Sequence, residues 1–146
     1  MIEEKKNIEL FNRAAVIELV VSGNWVQERL ADALKPFNIS IAQFNVLRIL
    51  RGQKGKPASL ACVNAKMIHK MSNTTRLIDK LMEKELVERI TCPANRRKIE
   101  LTITEKGLDL LKQLDKVIDT AEAQAMESLS KNELTTLTAL LQKLKK

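Results

Sequence analysis

The stretch SNTTRLIDKLMEKELVERITCPANRRKIELTIT, running from Ser72 to Thr104, changes its hydrophobic period part-way along. Up to Glu85 the positions Thr74 (through its methyl), Leu77, Ile78 and Leu81 share one helical face, leaving Asn73, Arg76 and Lys80 together on the opposite one. Leu86 to Cys92 reads as a strand. After Pro93-Ala94-Asn95-Arg96-Arg97, the segment Lys98 to Thr104 alternates strictly, with Ile99, Leu101 and Ile103 facing one way. The stretch therefore predicts a helix followed by a β-hairpin with a basic tip.

On its N-terminal side, Leu60, Val63, Asn64, Met67 and Met71 mark a short helix ending near His69, preceded by a loop from Gly52 to Pro57. Before that loop, Ser40 and Gln43 form a capping box with Ile39 and Phe44 as its hydrophobic staple, which predicts a helix from Ile41 to about Arg51. Ile8, Phe11, Ala15, Leu19, Val26, Leu30 and Leu34 predict one long amphipathic helix over about 6–35, ended by Pro36. On the C-terminal side Thr104 caps a helix along Leu108, Leu111, Leu114, Ile118, Ala121 and Ala125. Ser130 with Glu133, stapled by Leu129 and Leu134, starts a last one along Leu137, Leu141 and Leu144. The expected fold is mainly α with a small β-hairpin wing: a winged helix-turn-helix of six helices.

A chain of 146 residues has room for one domain and not for two. With 45% apolar and 29% charged residues, Gly 4 and Pro 3, it is neither disordered nor loop-rich. No apolar run approaches the roughly 18 residues that span a bilayer, and the first residues lack the apolar stretch of a signal peptide, so the expectation is a cytoplasmic protein without membrane association. Cys62 and Cys92 lack the paired spacing of a zinc site and read as free thiols. One histidine, His69, and four scattered glycines supply neither a metal cluster nor a phosphate loop. The expectation is no enzyme, no metal and no cofactor.

Charge is unevenly placed. The central residues 54–98 carry eleven Lys and Arg against four Asp and Glu, whereas 1–53 and 99–146 nearly balance, so the whole net charge of +7 belongs to the centre. A concentrated basic patch points to a polyanion, and nucleic acid fits better than a membrane surface, which would want a strongly apolar face opposite.

The sequence resembles the multiple antibiotic resistance regulator (MarR) family of transcription factors over nearly its whole length. The resemblance rests on Ser72-Asn73-Thr74-Thr75-Arg76-Leu77-Ile78-Asp79-Lys80-Leu81, Leu86-Val87-Glu88-Arg89, Asn95-Arg96-Arg97 and Leu101-Thr102-Ile103-Thr104-Glu105-Lys106-Gly107, in this order and spacing. Two positions depart from the family pattern. Glu85 stands where glycine is common, so a left-handed helix cap there would cost roughly 1 kcal/mol or more, leaving open a different end to the helix. Asn95 replaces an aspartate that braces the arginine two positions later, so Arg97 is expected to receive a neutral hydrogen bond.

In a helix-turn-helix the second helix enters the major groove N-terminus first, which puts Ser72, Asn73, Thr75 and Arg76 against base edges. Arg76 suits guanine and Asn73 adenine, each worth about 1–3 kcal/mol of discrimination, while Lys66, Lys70 and Lys80 neutralise phosphates. The alternative for Asn73 and Arg76 is an ordinary solvated helix face. Asp79 is expected to pair with a neighbouring basic side chain. The resemblance places Arg96 and Arg97, with Lys98 beside them, where the family's wing enters the minor groove, whose narrow A·T-rich form attracts arginine.

The resemblance further implies a homodimer formed by the first helix and the last two, reading a palindromic operator, with repression more expected than activation. Phe11, Trp25 and Leu137 are candidates for that interface or for the core. It also implies a small aromatic effector between base and DNA-binding lobe, for which Trp25, Phe37, Phe44 and Met67 are candidate lining, ordinary core being the other reading. The lobe is expected over about 37–104, with dimerisation helices over about 1–35 and 105–146. Cys62, off the apolar stripe and one turn before Lys66, reads as an inert thiol rather than a redox sensor. The competing functional class is a winged-helix module that binds another protein.

Overall fold

Helix α1 (Ile2–Leu34) begins the computed structural model, which describes residues 1–68, 73–92 and 94–145, without the side chains of Cys92 and Arg96. Proline has no amide to continue the helical ladder, and at Pro36 the chain tightens into a 3-10 turn (Lys35–Phe37) that stops on Asn38 in the left-handed region, φ 54°. Helix α2 (Ile41–Gly52) starts on the expected capping box: Ser40 Oγ accepts from Gln43 N at 3.1 Å while Gln43 Oε1 accepts from Ser40 N at 3.0 Å. Strand β1 (Ala58–Ser59) follows, then α3 (Leu60–Lys66), capped by Ser59, whose hydroxyl accepts from Cys62 N at 3.1 Å. Next come α4 (Thr74–Glu83), β2 (Val87–Cys92), β3 (Asn95–Ile103), α5 (Glu105–Ala125) and α6 (Lys131–Leu144).

The expected hairpin is present as β2 and β3, and β1 joins it to make a three-stranded antiparallel sheet ordered β1-β3-β2, because Ala58 and Ser59 pair with Leu101 and Glu100; two residues carry no period, so nothing local marked them as a strand. Two expectations are corrected. Helix α3 stops at Lys66, with Met67 extended, short of the expected His69, which with Met71 lies outside the described residues. The hairpin turn is tighter than expected, since Cys92 already pairs with Asn95.

The core gathers the last turn of α1, α2, α3, α4, the sheet and α5 around the fully buried Leu34, Val46, Leu47, Val63, Leu81, Leu101, Leu111 and Leu114. Helix α5 is joined to α2 by Arg51 Nη1 and Asp115 Oδ2 at 2.5 Å. Among the described residues, helix α1 is covered by its own chain from Val26 to Leu34, while residues 1–25 are exposed throughout. Its expected amphipathic character is incomplete. Besides the Ile8, Phe11 and Leu19 stripe, the opposite side presents Leu10, Ile17, Val20 and Val21, all exposed. Core burial is excluded for Phe11, Trp25 and Leu137, which are 75%, 42% and 38% exposed in the single chain. No helix among the described residues is long and apolar enough to cross a membrane.

Candidate nucleic-acid interface

Two hydroxyl contacts and a sharp cap hold α4 in place. At its start Thr74 is buried and its Oγ1 donates to Asn64 Oδ1 at 2.9 Å, fixing α3 against α4 across the turn. Thr74 and Asn64 both sat on inner faces in the sequence, yet their pairing needs the angle between two helices and was not legible there. Asn73 occupies the N-cap position without a side-chain capping bond, which leaves its amide facing outward beside Thr75 and Arg76. Asn73, Thr75, Arg76 and Lys80 are all exposed, whereas Thr74, Ile78 and Leu81 are buried. The division into an inner apolar and an outer polar, basic face is as the spacing predicts.

At its other end α4 keeps the left-handed cap in spite of the side chain: Glu85 has φ 61°. Leu86 N donates to Leu81 O at 3.0 Å and Glu85 N to Met82 O at 2.9 Å, the paired bonds of a Schellman motif, with Leu81 and Leu86 both buried beneath it. Burial of those two leucines and the two backbone bonds outweigh a strain of about 1–2 kcal/mol. The alternative helix end left open by the glutamate is not taken.

The wing presents its charge in a way the sequence did not disclose. Pairing between β2 and β3 runs regularly from Val87↔Ile103 to Thr91↔Ile99 and then jumps to Cys92↔Asn95. Residues 96, 97 and 98 are thereby carried in a bulge of β3, a device that bends a strand and re-aims its side chains. Arg97 and Lys98 are exposed there. Asn95 Oδ1 accepts from the backbone N of Arg97 at 3.1 Å, so the neutral hydrogen bond exists but steadies the bulge's main chain and not the guanidinium. Lys66, at the end of α3, is exposed as well. Lys70, Ser72 and the side chain of Arg96 lie outside the described residues.

Three further expectations are corrected. Phe44 and Met67, 5% and 4% exposed, belong to the core, and Phe37 only packs against it; Trp25 lies out on α1 with the Arg29 guanidinium 3.9 Å from its ring centroid. These four do not line one pocket. A groove of about 820 Å³ instead lies between the end of α1, the start of α2 and α4, bordered by Asp32, Lys35, Gln43, Leu77, Lys80 and Lys84. Asp79 forms no ion pair among the described residues and lines a small apolar cavity with Thr75, Met82 and Arg89. Cys62 is half-buried against the core, since α3 turns that side inward.

Residues 39–99, which hold α2 to the middle of β3 and hence the outward face of α4 and the wing's bulge, match the MarR family. Over that segment the chain carries the features of a MarR-family domain. A MarR-like transcription regulator from Bacillus cereus is 25% identical, the alignment covering 93% of this chain and 96% of that one at a TM-score of 0.84. A mutant MarR from E. coli complexed with operator DNA aligns at 23% identity over 93% and 95% of the two chains, TM-score 0.79. A Bordetella bronchiseptica regulator, BpsR, whose DNA binding is regulated by 6-hydroxynicotinic acid, aligns at 23% over 87% and 89%, TM-score 0.78. These likenesses extend the MarR transcription-regulator fold beyond the matched segment to the flanking helices α1, α5 and α6.

Proposed function

We propose that this protein is a sequence-specific transcriptional regulator of the MarR family that binds a palindromic operator as a homodimer, as a repressor by occupying a promoter. The single observation carrying this reading is the outward face of α4, where Asn73, Thr75, Arg76 and Lys80 stand exposed beside a wing whose bulge presents Arg97 and Lys98. Helix α4 lies in the major groove, with Asn73 and Arg76 reading base edges and Ser72 and Thr75 beside them. Lys66, Lys70 and Lys80 hold phosphates, while Arg96, Arg97 and Lys98 follow the minor groove. The structural likeness to an operator-bound MarR supports that orientation.

Residues 37–104 form the DNA-binding lobe and 1–35 with 105–146 the dimerisation base. Between Ala14 and Val21 the sequence AAVIELVV interrupts its apolar run only at Glu18, and a helix apolar on all sides needs cover on all sides. A second copy supplies it. Effector control is part of the same reading: the groove between the end of α1 and α4 lies between base and lobe, and BpsR is a relative with a small aromatic regulator.

The test is fluorescence anisotropy of the purified protein with its own promoter DNA against scrambled DNA over a salt series. Preference for the native sequence, with affinity falling steeply as salt rises, is the expected result. Equal and feeble binding to both, followed by failure to enrich any duplex from a random pool, rejects the reading in favour of a protein-binding winged helix.

A further inference from the structure

The end of α4 and the start of α5 are joined through one side chain. Thr104 Oγ1 donates to Glu85 O at 2.8 Å and accepts from Gly107 N at 3.0 Å, so the same hydroxyl closes the junction after α4 and caps α5. The backbone repeats the link: Thr104 N donates to Leu86 O at 3.1 Å. There is no slack around it. A Cβ added at Gly107 would lie 2.4 Å from Leu86 O and 2.7 Å from Ile103 Cγ1, so main chain rests on main chain at that point. Lys106 Nζ and Glu85 Oε2, 3.5 Å apart, bridge the same two segments at the surface.

We propose that Thr104 is a positioning residue for DNA recognition, its hydroxyl locking the end of α4 to the first turn of α5 so that the dimer base dictates how far apart two recognition helices stand. The inference rests on the DNA-binding reading above and adds to it a residue that touches no DNA. Helix α5 belongs to the base and is tied to α2 by Arg51 and Asp115; α4 carries the reading face. At its far end α4 is tied to α3, through Thr74 and Asn64, inside the lobe. Besides the packing of α2 between α5 and α4, the Thr104 junction gives rotation of the base a direct hydrogen-bonded path to the end of the reading helix, and a hydroxyl is suited to it because its single proton and its lone pairs serve two helices at once.

The donor and the acceptor halves can be separated. Thr104→Ser keeps both. Thr104→Asp keeps the cap on Gly107 N but has no proton for Glu85 O, so α5 stays capped while the link to α4 is lost. The probe is the duplex that the full-length wild-type protein enriches from a random pool, together with versions lengthened or shortened by one base pair between half-sites. Wild type and Thr104→Ser are expected to disfavour altered spacing by about tenfold or more, a typical penalty for a misplaced base contact. Thr104→Asp is expected to bind the enriched duplex but to disfavour altered spacing by less than about threefold. In the free proteins, amide exchange at Leu77–Leu81 and at Leu86 is expected to accelerate in Thr104→Asp by about tenfold, with the first turn of α5 unchanged. Wild-type spacing discrimination and wild-type exchange in Thr104→Asp would overturn the assignment. If wild type enriches no duplex, the DNA-binding reading falls and takes the positioning role with it. The two failures are distinguished by whether wild type enriches DNA.

Discussion

Glu85 holds φ 61° with a side chain attached, at the point where the chain turns out of α4 toward β2. Its ion pair with Lys106 is exposed and offsets little. Glu85→Gly is accordingly expected to raise stability by up to about 1 kcal/mol, the relief of strain less the extra freedom glycine gains when unfolded. Urea denaturation would register this as a higher midpoint at unchanged slope, and a lower midpoint would show that the side chain contributes more than the strain costs. At the reading face the expectation divides by groove. Arg76→Ala should relax base preference within the half-site, at about 1–3 kcal/mol for the best base, whereas Arg97→Ala should weaken binding and flatten preference for A·T-rich flanks. Selection from random duplexes with each variant checks both; an Arg97→Ala variant with intact affinity and flank preference would remove the wing from the interface.

Among elements, legibility followed how local the signal was. The starts of α2, α5 and α6 could be read because each rests on a side chain bonding an amide three residues on: Ser40 with Gln43, Thr104 with Gly107, Ser130 with Glu133. Strand β1 and the bulge of β3 could not, since both are defined by what lies across the sheet. The exposed face of α4 was legible as a face; the contacts that aim it, at Asn64 and Thr104, were not, because they join elements through geometry. Cys62 and Phe44 show the same boundary from the other side, as spacing alone left their neighbours open. At α6 the cap also titrates. The amide and hydroxyl of Ser130 beside Glu133 hold its carboxyl below the ordinary 4.5, so the folded form favours the charged state. Its stabilisation is full above 4.5 and is lost as pH falls through the lowered value. Thermal melts of wild type and Glu133→Gln from neutral pH downward should run parallel until this acid window and converge within it; parallel curves throughout would show that the charge is immaterial to α6.

For the whole molecule, the exposed first 25 residues of α1 and the segment from Ala14 to Val21, apolar but for Glu18, leave an uncovered apolar surface that the proposed second copy would close. Val20→Glu, placed in that segment, is expected to weaken the dimer by several kcal/mol, because an unpaired charge would be trapped when the second copy closes over it. Sedimentation equilibrium should then find monomer where wild type is dimeric, and the melting temperature of wild type should climb with protein concentration. A concentration-independent melt would contradict the dimer.

That long uncovered helix also bears on how much protein a cell must make before any gene responds. When the reading unit is a pair and an unpaired chain leaves so much apolar surface in water, the number of working units rises with roughly the square of the number of chains while pairing is incomplete. Halving synthesis then removes more than half of the control, and chains still waiting for a partner fall to proteases and aggregation. On the proposed homodimer, a helix with nothing to lean on would thus set a threshold on expression.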